Sequence, residues 1–439
     1  MELALDIAVQ CSPDHPWVRE HPEWFRHRPD GSIQYAENPP KKYQDIVPFD
    51  FQTTQWRSLW EALAGVFRFW IDKGVRIFRV DNPHTKPFAF WEWLIDDIHR
   101  TAPDVLFLSE AFTRPKTMYR LAKLGFTQSY TYFTWRTEKD ELAAYLREVT
   151  TPPVAEFFRP NFWPNTPDIL HETLQTGGRP MFLVRLALAA LSVGNWGIYG
   201  PAMELLEATP REPGSEEYLD SEKYEIKRWN LAAPESLAPF IGRLNEIRRT
   251  EPALQRDRPP LIQDIDDPHL LAWCRHDPPT GNRVLVVVNL RPSETRSGTL
   301  RLDAAALGLA DRDAILAHDL LGAGAHAWSL DAVAVECGPE RPVLVFRLTD
   351  LEAAGPGANC VSPVLDGIAT WLPRARWCGV RTADAAIRLA DACTADGMAI
   401  ALIDTDAPAG GPGRRYFVPA SQANGADAAC SAAFARWLV

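Results

Sequence analysis

A chain of 439 residues, 46% hydrophobic and 23% charged, has room for about two or three globular domains. Its formal net charge of −11 argues against a general nucleic-acid surface, and with no run of about 18 apolar residues it is expected to span no membrane. Seven scattered cysteines without CxxC spacing read as free thiols in a reducing compartment, not as a zinc site. The opening MELALDIAVQ lacks a basic run and is broken by Asp6, so it does not read as a signal peptide.

Residues 2–9 alternate loosely as a strand, with Asp6 and Gln10 near its end. A long loop follows to about residue 51, and loops of that length inside a domain are usually functional. The loop holds NPPKKYQD, where an amide, two cations and a phenol sit close together in a Pro-stiffened segment. Such a group suits an anion such as phosphate, although a solvated basic turn would read the same way. Residues 53–73 form an amphipathic helix stopped by Gly74. The next segment, GVRIFRVDNPHTKP, is a β-branched strand that ends on Asp81 and is broken by an Asn-Pro step.

A helix over 88–100 leads to a second apolar strand, 105–110, that also ends on an acid, Glu110. Further helices are expected at 115–124, 138–149, 179–193 and 234–250, with strands near 127–133, 156–161 and 193–199. After Pro252 the pattern changes to short apolar runs between turn residues, at 269–274, 283–290, 299–302 and 343–348. This reads as an antiparallel sandwich. Residues 355–359 look like a linker, and strand-like runs recur at 398–403 and in RYFVPAS.

Alternating strands and helices with acids at the strand ends argue for a parallel α/β sheet, and a sheet closed as a (β/α) barrel places its chemistry at those ends. Arg79 lies two residues before Asp81, on the same side of the strand, and can hold that carboxylate ionised and aimed. The plainer alternative is a structural Arg-Asp pair closing a strand. Asp168, in the loop after a later strand, is a third acid, or an ordinary helix cap. Neighbouring strand ends can bring two carboxylates to about 5–5.5 Å, the separation used by retaining glycosidases. His15, His21 and His27 share one loop without a second ligand cluster, and no Gly-rich phosphate loop occurs. No metal or other cofactor is therefore expected.

FRVDNPHTKP, LSEAFTRP and NTPDIL resemble the catalytic segments of the alpha-amylase-type glycoside hydrolase clan. Together with ALDIAVQCSPDHPW, HPEWFRHRPDGSIQYAENPPKKYQDI and SEKYEIKRW, they are similar to the alpha-1,4-glucan:maltose-1-phosphate maltosyltransferase family over about residues 1–350. The resemblance implies a partial (β/α)8 barrel lacking its first strands over 1–252, an antiparallel β-sandwich over 253–352 and a small α+β tail over 353–439. The tail faintly resembles a maltokinase N-terminal cap, but Cys378-Gly-Val-Arg departs from that pattern.

Position by position, the resemblance makes Asp81 the nucleophile, Glu110 the general acid/base and Asp168 the stabilising third acid. Arg79 would position the nucleophile. Asn38, Lys41 and Tyr43 would hold the donor phosphate, and Gln10, Asn82, Lys223 and Tyr224 the maltosyl unit. The implied partners are alpha-maltose 1-phosphate and an alpha-1,4-glucan, in the cytoplasm, with a homodimer admitted. Turnover by this chain alone is expected to be impaired. The alternatives are a non-catalytic glucan-binding remnant and an alpha-glucan hydrolase, which would not need the basic loop.

Overall fold

The computed structural model describes residues 2–38, 41–43, 45–222, 225–312 and 314–350, and three strands beyond them. It divides into two units, one of residues 1–241 with 257–260 and one of 242–256 with 261–439.

The first unit is built on six parallel strands in the order β1 (Ala4–Ile7), β4 (Ile77–Asp81), β5 (Leu106–Glu110), β6 (Gln128–Tyr130), β7 (Pro160–Phe162) and β8 (Asn195–Trp196). Between β1 and β4 lie α1 (Pro16–Glu20), a hairpin of β2 (Ala36–Asn38) and β3 (Lys41–Tyr43), and α2 (Trp56–Asp72). The loop expected at 11–51 is therefore partly ordered. It leaves and re-enters beside β1, where Cys11 and Val47 exchange backbone hydrogen bonds of 3.3 and 2.9 Å.

Helix α2 forms because Leu59, Leu63, Ala64 and Phe67 recur on one face and are buried. Gly74, at φ 96°, turns the chain away from its end. Phe67 meets Phe78 of β4 with ring centroids 5.1 Å apart, and Phe78 meets Phe107 of β5 at 6.0 Å. Phe78 and Val80 face the helices with 0% exposure. The period-2 alternation of a strand then sends Arg79 and Asp81 to the opposite face. Crossovers α3 (Phe88–Thr101), α4 (Pro115–Lys123) and α5 (Lys139–Thr150) return the chain for each new parallel strand.

Three short strands differ from expectation, the run expected at 193–199 pairing only at Asn195 and Trp196. The run expected at 127–133 pairs only as far as Tyr130, after which Tyr132–Trp135 coils into a 3-10 turn. Thr131 caps that turn, its hydroxyl accepting from Phe133 N. The run expected at 156–161 opens with a 3-10 turn, Val154–Glu156, before β7. After β7 come α6 (Glu172–Thr176) and α7 (Gly178–Ser192). Helix α7 is apolar almost all round and buried as expected, with Arg185 inside it. Arg185 donates to the carbonyls of Phe133, Thr134 and Arg136 at 2.8, 3.2 and 2.7 Å. Its charge thus caps the 3-10 turn after β6. Helices α8 (Gly200–Glu204) and α9 (Ala238–Thr250) follow. No described helix is long and apolar enough to cross a membrane.

The second unit is antiparallel. Strands β9 (Leu261–Ile265), β10 (Leu270–Asp277), β11 (Asn282–Asn289), β12 (Arg296–Arg301), β13 (Ala314–Asp319), β14 (Ala325–Ser329), β15 (Val333–Cys337) and β16 (Val343–Asp350) pair in the order 14-13-16-11-10-9-12-15. Val333 and Val335 of β15 share one buried cluster with Ile315 and Ala317 of β13, two strands from opposite halves of the order. The sheet therefore closes over its own core as a β-sandwich. The runs read as strands match β10, β11, β12 and β16. Beyond it, β17 (Ile387–Ala395), β18 (Met398–Thr405) and β19 (Arg414–Ser421) form an antiparallel meander. The expected linker at 355–359 and the Cys378-Gly-Val-Arg segment lie outside the described residues.

Candidate active site

Asp81 and Glu110 are the last residues of β4 and β5 and are Cα partners in their parallel register. Adjacent strands lie about 4.8 Å apart, and partners share a face, so both carboxylates leave the sheet side by side. Arg79 joins them. Its Nη1 lies 3.2 Å from Asp81 Oδ1 and its Nη2 3.2 Å from Glu110 Oε1. The same guanidinium reaches Asp6 of β1, whose Oδ2 is 2.6 Å from Nη1. One cation thus ties the carboxylates of three adjacent strands. Burial works against its charge, but Glu110 and then Asp6 outweigh that and hold the proton more firmly than in a free arginine.

The turn after β4 grips both acids. Asn82 sits at φ 45°, ψ 50°, a left-handed conformation that Asn tolerates better than most residues. From there its N–H donates to Glu110 Oε2 at 3.2 Å and its side-chain amide to Asp81 Oδ1 at 3.3 Å. Trp91 Nε1 pins the next carbonyl, Pro83 O, at 2.9 Å.

The two acids have different surroundings. Glu110 is 8% exposed, and burial pushes its carboxyl up to about 7. Arg79 and the Asn82 N–H oppose that rise, while Asp81 and Asp168 add to it. Asp168 therefore lies within electrostatic reach of Glu110. It occupies the turn between Thr166 and Ile169, where its N–H donates to Thr166 Oγ1 at 3.2 Å. It also lines a cavity of about 480 Å³ with Arg211, Tyr218 and Ser221. Asn165, wholly buried, braces this wall by bonding Tyr218 Oη at 2.8 Å and the Tyr199 N–H at 3.0 Å.

Gln10 is half-buried at the end of β1, just after Val9, which takes a left-handed φ of 44°. That is a rare conformation for a β-branched residue. Asn38 and Lys41 are paired in the register of the hairpin, and Tyr43 ends β3 half-buried. The hairpin belongs to the excursion that rises from the C-terminal end of β1, the end of the sheet that carries the acids. Lys223 and Tyr224 lie outside the described residues.

Sequence reasoning noted Asp6 but gave it no partner, and it passed over Tyr130 and Lys86. Tyr130 lies beneath the guanidinium of Arg79, 5.8 Å from ring centroid to Cζ, and burial raises its phenol to about 12. The ring of Trp163 stacks on it at 4.8 Å. Asp6 carried a legible signal, an acid near a strand end, as Asp81 and Glu110 do.

Residues 262–348 match the family model described as "GLGE, C-terminal". The alpha-1,4-glucan:maltose-1-phosphate maltosyltransferase of Methylacidiphilum infernorum is 54% identical over 350 residues, 80% of this chain and 52% of that protein. That of Mycolicibacterium smegmatis is 53% identical over 332 residues, 75% of this chain and 47% of that protein. By sequence the chain is similar to these maltosyltransferases over about four-fifths of its own length. It spans about half the length of the maltosyltransferases it matches.

Solved structures place the fold more broadly. An alpha-amylase from Geobacillus thermoleovorans aligns with a TM-score of 0.59 at 14% identity, over 80% of this chain and 78% of that one. An alpha-amylase from H. orenii gives 0.57 at 14%, over 80% of each chain. The parallel unit is accordingly a partial (β/α)8 barrel of the alpha-amylase type, with the β-sandwich following it in the chain.

Proposed function

We propose that the protein acts as a retaining maltosyltransferase, moving a maltosyl unit from alpha-maltose 1-phosphate to the non-reducing end of an alpha-1,4-glucan. The observation that carries this reading is the pairing of Asp81 with Glu110 across one guanidinium, with burial raising the Glu110 carboxyl. Asp81, with donors from Arg79 and Asn82, attacks the anomeric carbon, and the carbon–oxygen bond to phosphate breaks. Phosphate leaves with the bonding pair, and a beta-maltosyl ester forms on Asp81. Glu110 then takes the proton of the acceptor's 4-hydroxyl as that oxygen displaces Asp81. A carboxyl near 7 suits this, because a group that gives and takes protons works best close to the ambient pH. Phosphate is already a good leaving group, so the base role in the second step matters more than the acid role in the first.

In this reading Asp168 stabilises the charge that develops at the sugar ring, and Arg79 positions Asp81. Asn38, Lys41 and Tyr43 meet the phosphate, while Gln10, Asn82, Lys223 and Tyr224 meet the maltosyl unit. The free thiols of Cys11, Cys274 and Cys337 support a cytoplasmic setting. The homodimer rests on the resemblance alone, and sedimentation reads it.

The test is the first half-reaction. The Glu110→Gln variant, given alpha-maltose 1-phosphate, should release phosphate and accumulate a maltosyl adduct on the peptide containing Asp81. Asp81→Asn should do neither. An adduct elsewhere, or none with donor bound, overturns the reading. Lys41→Ala should weaken donor affinity, and unchanged affinity removes the phosphate role of the hairpin. Release of free maltose with glycogen present, without elongation, identifies a hydrolase instead.

A further inference from the structure

The edge of the Arg79 guanidinium is taken up by acids, Asp6 and Asp81 at Nη1 and Glu110 at Nη2. A planar guanidinium donates hydrogen bonds only in its plane, so its face calls for a different neighbour. Tyr130, the last residue of β6, supplies one: Arg79 Cζ lies over its buried ring, 5.8 Å from the centroid. That is within the reach of about 6 Å for a cation over an aromatic face. Behind Tyr130 comes the indole of Trp163, just after β7, stacked on it at 4.8 Å with 23° between the planes. Behind Trp163 comes Gly197, just after β8, where a Cβ would sit 2.3 Å from the indole. The four layers thus come from β4, β6 and the residues that follow β7 and β8. Thr134 Oγ1 donates to Trp163 O at 2.7 Å, and the Gly197 N–H to Phe162 O at 3.0 Å. The Phe112 ring meets Tyr130 in a T at 6.3 Å.

We propose that Tyr130 and Trp163 are positioning residues for the transfer: their stacked rings brace the face of Arg79 and so hold its two Nη atoms on Asp81 and Glu110 at once. The inference rests on those two acids being the reacting pair. Asp6 makes the shortest of the three contacts, 2.6 Å against 3.2 Å for each of the others. An unsupported guanidinium is free to turn toward Asp6 and loosen its hold on the reacting pair. A ring against its face resists that turn and takes up no donor, which leaves the in-plane N–H groups to the carboxylates. Gly197 completes the brace, because any larger residue there would push the indole forward.

Three variants of the full chain separate the parts. Tyr130→Leu removes the ring under the guanidinium, and Tyr130→Phe keeps it. Trp163→Leu removes the second layer without touching Arg79. It also removes an indole N–H that has no hydrogen-bond partner among the described residues, so no bonded group is left behind. The first readout is the Nε–Hε resonance of Arg79 in arginine-labelled protein, which needs no turnover. An aromatic face shields protons held over it, so Tyr130→Leu should move this resonance downfield. Trp163→Leu should move it less, and Tyr130→Phe should leave it close to wild type. The second readout is adduct formation on Asp81 at saturating donor. It should slow about tenfold or more in Tyr130→Leu and by less in Trp163→Leu, with donor affinity unchanged and with most of the rate restored in Tyr130→Phe. If Tyr130→Leu does not fold, Trp163→Leu decides by the same two readouts. An Arg79 resonance that stays in place, or adduct formation at the wild-type rate, overturns the inference. A shifted resonance without any adduct in wild type upholds the brace and removes the maltosyltransferase reading instead.

Discussion

Asp6 and Arg79 are partners in the register of β1 and β4, and their side chains meet at 2.6 Å. This pair makes Arg79 the hub of three carboxylates, not of one. Arg79→Met should leave Asp6, Asp81 and Glu110 clustered without a cation, at a cost of about 3–5 kcal/mol. Lowering the pH should restore part of that loss as Glu110 takes up a proton. Arg79→Lys should recover only a fraction, since a point charge cannot span three acceptors as a planar fork does. Urea unfolding at neutral and mildly acidic pH checks both.

Glu110 titrates higher in the fold than in the unfolded chain, from 4.5 to about 7. A carboxyl raised by burial binds its proton more tightly when folded. Its contribution to stability is therefore fully present below 4.5 and is lost as pH rises through about 7. Glu110→Gln should flatten the stability profile in that window. Denaturation midpoints measured at half-unit pH steps would reveal it, and an unchanged slope would place the raised carboxyl elsewhere.

Asn82 has two duties that substitution can split. Ala in a left-handed conformation costs about 1–2 kcal/mol, while Gly adopts it freely. Both lose the side-chain bond to Asp81 and both keep the N–H to Glu110. Asn82→Gly should therefore stay close to wild type in stability, and Asn82→Ala should fall. Adduct formation should slow in both to a similar degree. Paired stability and rate measurements check this.

Gly197 lies against the Trp163 ring, and a Cβ there would sit 2.3 Å from it. Trp163 stacks on Tyr130, which lies beneath Arg79. Gly197→Ala should cost about 1–3 kcal/mol through overpacking and should displace the stack that supports the guanidinium. A second change, Trp163→Phe, should return much of the stability. Thermal unfolding of the single and double variants measures the coupling.

Much of this site was legible in the chain. Asp81 and Glu110 announce themselves as acids closing apolar strands, and Arg79 as a cation two residues upstream on the same face. Their pairing was expected from barrel logic, but its register is fixed by long-range strand contacts that local pattern does not encode. For the same reason Asp6 stood without a partner, since its bond to Arg79 exists only once β1 lies beside β4. Lys86 was hidden differently: it is half-buried in the fold, and a lysine in a polar stretch reads as solvated. The hairpin β2–β3 escaped because its strands are three residues each, too short for alternation to show. In the sandwich, β14 was missed because AHAWS is mostly exposed and meets the core through Trp328 alone, too little for an alternation to show. Strands β10 and β11, buried on both faces, were plain.

The segment between Cys11 and Val47 is closed at its ends by two backbone bonds and tied to the start of α2 through Glu23 and Trp24, which leaves the hairpin β2–β3 as its outlying part. Lengthening that hairpin adds little closure entropy and leaves the strand tips undisturbed. Whatever that insert recognises can therefore drift, duplicate or be grafted independently of the acids. Leaving-group preference and bond-making chemistry are thus free to evolve at different speeds on one scaffold.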